Sequence, residues 1–195
     1  MRIFTGGSQG NEHLTAVVAA VLVLLLFVEG ATLLKIGSLL TVHAFVGLLL
    51  VPIVVLKLGS TGWRMFRYYL GSEEYVERGP PNVLLRTLVA PLIVLSTLLL
   101  FATGTALLAL GETEGTIVGL HKASFIVWVA ATSVHFLAHV RRLPVLLRLR
   151  VPGRGIRLGL VTGAALTGLA IATVAFPAAD RLQDRVSAHV GLDVH

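Results

Sequence analysis

Residues 14–58 read LTAVVAAVLVLLLFVEGATLLKIGSLLTVHAFVGLLLVPIVVLKL, two long apolar runs that meet at Lys35. The first, residues 14–34, is interrupted only by Glu29; the second, residues 36–58, carries His43 in its first half and Lys57 at its end. An apolar helix needs about 20 residues to cross the hydrocarbon core of a bilayer. Each run meets that length, and outward from them three more segments do so: residues 87–110, 116–140 and 158–179. None alternates with the period of two that a membrane barrel requires. The sequence therefore predicts an all-α integral membrane helix bundle of five transmembrane helices forming a single domain. Pro52 and Pro91 fall inside helical runs and are expected to kink them.

Composition agrees with this reading. Apolar residues make up 55% of the 195-residue chain and charged residues 13%, where an average soluble domain carries about 25% charged. Neither an ordinary water-soluble globule nor a disordered chain fits such a balance. The absence of cysteine rules out disulfides, iron–sulfur clusters, thiolate zinc and thioether-attached haem c, so a metal or cofactor would be held by His, carboxylate or backbone.

The net charge of +6 would suggest nucleic acid as a partner in a soluble protein, but the basic residues are sorted by membrane side. Twelve of the 16 Lys and Arg residues fall in 1–13, 57–86 and 141–157, leaving Lys35, Lys122, Arg181 and Arg185 for the opposite face. The positive-inside rule then places the N-terminus and the loops 59–86 and 141–157 in the cytoplasm of a bacterial cell, with the C-terminus outside the inner membrane. A cleavable signal peptide is the rival reading of span 14–34, given small residues such as Gly30. The near absence of charge before it, apart from Arg2, favours a retained anchor.

Loop 59–86 mixes Arg64 and Arg67 with Trp63, Phe66, Tyr68 and Tyr69. An interfacial aromatic belt in contact with lipid headgroups accounts for that mixture, and a docking surface for a partner subunit is the alternative. No phosphate-cradling glycine loop is present.

Four of the seven histidines lie in apolar spans: His43, His121, His135 and His139. His13, His189 and His195 belong to the termini, where solvation is expected. Spans two and four run in the same direction, and His43 and His121 lie at depths that agree within about one helical turn. Two imidazoles at one depth, one from each helix, suit the axial positions of a six-coordinate haem. An interhelical hydrogen bond is the main alternative for such a pair, and another metal the lesser one. His121 and His135 are 14 residues apart, two heptads, which puts them on one face about 21 Å apart along the axis. His135 and His139 stand at i, i+4, a spacing that grips zinc or copper when a third ligand is supplied.

The paired spans with His at a 14-residue step, together with VLKLGSTGWRMFRYY (55–69) and LHKASFIVWVAATSVHFLAHV (120–140), resemble small bacterial transmembrane cytochromes b. These have a four-helix core like that of respiratory cytochrome b and of the cytochrome b subunits of membrane hydrogenases and formate dehydrogenases. The resemblance covers spans two to four, about half the chain. It implies an electron-transfer subunit of an oxidoreductase, working between a redox partner and the quinone pool, with haem b as cofactor. His43 and His121 would ligate the iron of an outer haem and His135 that of a second, inner haem. The residue one step from His43, at the position matching His135, is Lys57, an amine with pKa of about 10.4 in water; it is expected to snorkel to the headgroups, so one haem is expected. Gly47 and Gly104 would leave room for a macrocycle, and Lys122 and Lys35 would neutralise propionates.

Two other classes are open on the same residues. A haem-free membrane scaffold or assembly subunit would use its histidines only to join helices. A transporter would need a polar midplane path, for which Ser96, Thr97, Thr132 and Ser133 provide little. No Ser-His-Asp set and no HExxH motif argues for hydrolysis.

Overall fold

A computed structural model describes residues 7–77 and 83–192, and the side chains of that range up to 188. Arg2, Arg78 and His195 lie outside the described residues, and the side chain of His189 is likewise not described.

The architecture is all-α, with no strand among the described residues. Helix α1 is Gly7–Thr32, α2 Ile36–Tyr69, α3 Glu73–Val76, α4 Ala90–Leu110, α5 Thr116–His139, α6 Leu143–Leu147 and α7 Arg154–Leu192. Four continuous helical stretches are long and apolar enough to cross a membrane: 7–69, 85–110, 116–147 and 154–188. The first contains two of the five expected spans, because a single 3-10 turn at Leu33–Lys35 folds α2 back along α1. Asn11 Nδ2 donates to the Ser60 carbonyl (2.9 Å) at one end of this hairpin, and Thr32 meets His43 at the other.

The buried core is narrow. Leu14, Val18 and Leu22 of α1 recur every four residues and pack against Val46, Leu50 and Ile53 of α2. Outside that seam the large apolar side chains face outward, with Leu24 70%, Phe27 78%, Leu137 70% and Val174 83% exposed. In water such surface would cost roughly 25 cal/mol per Å², whereas in lipid it costs nothing. This distribution makes the chain a membrane protein. The contact of α2 with α7 is close enough that a Cβ at Gly168 would overlap the Leu49 carbonyl oxygen, the small-residue approach by which membrane helices pack.

The helix ends depart from the expected span limits in instructive ways. Helix α2 runs through Tyr69, so most of the aromatic stretch 59–69 continues a helix instead of forming a loop. Its break lies at Leu39 (φ −117°, ψ 17°), well before Pro52, which stays within the helix. The amides of Leu40 and Thr41, left without helical acceptors by the break, donate to Gln183 Oε1 at 2.8 and 3.3 Å, and Gln183 Nε2 donates to the Gly37 carbonyl. Pro91 lies inside the continuous helical stretch 85–110, directly after a π turn at Leu85–Val89 in which Ala90 N–H bonds to Leu85 O, so the helix departs from regular α geometry just ahead of the proline. Helix α4 ends at Gly111 (φ 68°), where Gly111 N–H returns to Leu107 O and Arg185 Nη1 donates to Gly111 O (2.7 Å).

Candidate functional site

His43 on α2 and His121 on α5 come together near the end of the bundle remote from the arginine-rich loops. Their ring centroids are 6.4 Å apart with planes at 90°. The two helices that carry them are supported by different neighbours, α2 by α1 and α7, and α5 by α4.

Each ring is held at Nδ1 by a threonine from the adjoining helix. Thr32, the last residue of α1, donates its only hydroxyl proton to the Glu29 carbonyl (2.6 Å) and has its oxygen 3.0 Å from His43 Nδ1. Thr103 on α4 likewise donates to the Leu99 carbonyl (2.7 Å) and lies 3.0 Å from His121 Nδ1. With the hydroxyl protons directed at backbone carbonyls, each threonine oxygen is open to accept from Nδ1–H, the tautomer that leaves the imidazole lone pair on Nε2. The Glu29 carboxyl group also meets His43, with Oε1 3.0 Å from Nδ1 and both side chains largely buried.

A hydrogen bond at Nδ1 from a neighbouring group is the contact that orients an imidazole whose Nε2 serves as a ligand, and both rings have one. The 6.4 Å centroid separation with planes at 90° is an edge-to-face contact between the two rings.

Gly47 and Gly104 border the site but face side chains of the chain itself. A Cβ on Gly104 would lie 3.1 Å from His121 Cε1, and one on Gly47 would lie 3.4 Å from Glu29 Oε1. These glycines admit the imidazole and the carboxylate. Lys122 and Lys35 are exposed at the same end.

The second histidine pair is built differently. His135 and His139 stack with centroids 4.5 Å apart, and His139 Nδ1 lies 2.9 Å from the His135 carbonyl. His135 Nδ1 is buried without a hydrogen-bond partner. Lys57 does not snorkel to the surface as expected. Its Nζ donates to the Thr15 carbonyl on α1 (2.9 Å), because the α1–α2 hairpin places that backbone oxygen within reach inside the bundle. Among the described residues no cluster of three or more His, Asp or Glu gathers to hold a metal ion, at His135 and His139 or elsewhere.

His13 also departs from expectation. It is 9% exposed, not solvated, since α1 begins at Gly7 and sets it against the segment 147–158 at the arginine-rich end. Of the residues that shape the His43–His121 site, Glu29, Thr32 and Thr103 were not anticipated. Glu29 had a sequence signal, being a carboxylate within an apolar span; the threonines had none. The chain matches no protein-family model, no curated protein and no solved structure.

Proposed function

We propose that the chain is a b-type cytochrome of the bacterial inner membrane, an electron-transfer subunit passing electrons between a redox partner and quinone. The observation that carries this reading is the His43–His121 pair, two Nδ1-anchored imidazoles from separate helices with Nε2 as the remaining donor on each. His43 and His121 would hold haem b, whose iron supplies a one-electron couple when bound. Thr32, Glu29 and Thr103 keep both rings in the ligating tautomer, and Glu29 raises the basicity of His43 through Nδ1. Lys122 and Lys35 provide cations for propionates at that rim. The uneven distribution of arginines orients the chain with its arginine-rich end toward the cytoplasm and the haem site toward the outer leaflet.

Purified protein is expected to show a low-spin, b-type reduced-minus-oxidised spectrum that His43→Ala and His121→Ala each abolish. A second reading, a haem-free scaffold, draws on the fact that the Nδ1 bonds already tie each histidine to a neighbouring helix. A preparation expressed with ample haem and still colourless would establish that reading and end the first.

A further inference from the structure

Where α1, the segment after α6 and the start of α7 meet, at the arginine-rich end, there is a cavity of about 780 Å³. Its lining includes His13, Arg148, Arg150, Arg154 and Arg157, and no acidic residue. Arg157 is 4% exposed and is a positioning residue: its Nη1 and Nη2 donate to the carbonyls of Pro152 (2.8 Å) and Val151 (2.7 Å). These two bonds fold residues 148–153 over the cavity. Arg148, Arg150 and Arg154 are exposed and keep their guanidinium groups for a ligand.

Two further features point at the same space. Helix α7 begins there at Arg154, and its first amides and the positive end of its dipole favour an anion. The His13 ring, nine-tenths buried, lines the cavity with an Nδ1 that has no partner among the described residues. Arg148, Arg150 and Arg154 bring three exposed guanidinium groups to a lining that has no acidic residue among the described residues, and guanidinium pairs with the oxygens of phosphate in a bidentate manner. Val17 and Leu158 give the cavity an apolar wall.

We infer that this cavity binds a phosphate-bearing anion, with Arg148, Arg150 and Arg154 on the phosphate oxygens and the His13 ring in its wall. Such a phosphate comes either from the headgroup of an anionic phospholipid, whose chains would follow the apolar wall, or from solution as free phosphate. The site is separate from His43 and His121, and its occupancy does not depend on haem.

The full chain, purified in detergent and stripped of lipid, is offered phosphatidylglycerol, phosphatidylcholine or inorganic phosphate in separate titrations. The Arg150→Gln/Arg154→Gln variant is run in parallel; both side chains are exposed, and unchanged helical circular dichroism checks its fold. Retention of phosphatidylglycerol over phosphatidylcholine, weakened about 30-fold in the variant, supports a lipid-headgroup site, at roughly a factor of 5 for each cation. Inorganic phosphate bound more tightly by the wild type than by the variant, without lipid preference, supports a free-phosphate site. Equal behaviour of wild type and variant toward both probes overturns the inference.

Discussion

The two ends of the bundle carry histidines on the same helix, α5, two heptads apart, yet His121 and His135 have acquired opposite environments. His121 meets a partner imidazole and is held at Nδ1 by Thr103; His135 has Nδ1 unpartnered and a stacked His139 beside it. Helical periodicity sets the depth and face of a ligand. Whether the ring is poised to ligate depends on a hydrogen-bond acceptor from another helix, which periodicity does not specify.

The largest effect that would test this contrast is removal of either ring at the first end. His43→Ala or His121→Ala should eliminate bound haem, measured by pyridine haemochrome per chain, whereas His135→Ala should leave it near one; equal losses at both ends would erase the distinction. Next comes Gly104→Val. Its Cβ would lie 3.1 Å from His121 Cε1, so the ring must move, at a cost of about 1–3 kcal/mol for overpacking. The spectrum should lose its low-spin signature while the helical content is kept. Thr103→Val keeps the shape and removes the acceptor at His121 Nδ1, and should weaken haem affinity by roughly 10–100-fold, the usual penalty for losing an outer-shell partner of a metal-bound histidine. Glu29→Gln should retain haem but raise its midpoint potential by on the order of 60 mV, a tenfold shift in the ferric-to-ferrous balance, because a weaker acceptor makes His43 a poorer donor to ferric iron. The smallest effect is expected from Lys57→His. It supplies the ligand type missing at the second end without anchoring His135, so haem should stay near one per chain; a rise to two would show that side-chain identity alone makes a site.

Much of the fold was legible in the sequence because span length and hydropathy are additive properties of consecutive residues. The five apolar runs all appear as helix, and the depth match of His43 and His121 survives as a real meeting of rings. What escaped was set by tertiary contact. The continuation of α2 through the polar, aromatic residues 59–69 follows from support by α1, where Asn11 and Thr15 bond to Ser60. The usual behaviour of interfacial cations sends Lys57 to the headgroups, but the tight α1–α2 hairpin offers it a backbone carbonyl inside the bundle. A place near residue 1 predicts a solvated His13, and its burial comes from the segment 147–158, distant in sequence, that lies against it. Glu29 was visible as an anomaly in an apolar run, but its partner could be named only once the hairpin brought α2 back past it.

The polar end of α7 has a bearing on how the chain matures. Gln183 serves the broken first turn of α2 and Arg185 the glycine end of α4, so two helices made early in synthesis have their ends completed by residues of α7, which emerge later. Insertion of spans one to four would place both histidines in the membrane, but the ends of the helices bearing His43 and Thr103 would still be loose. The site thus reaches its final geometry only after the fifth helix docks. A nascent chain stopped short of Gln183 would contain both histidines yet lack the clamp that completes the helices bearing His43 and Thr103.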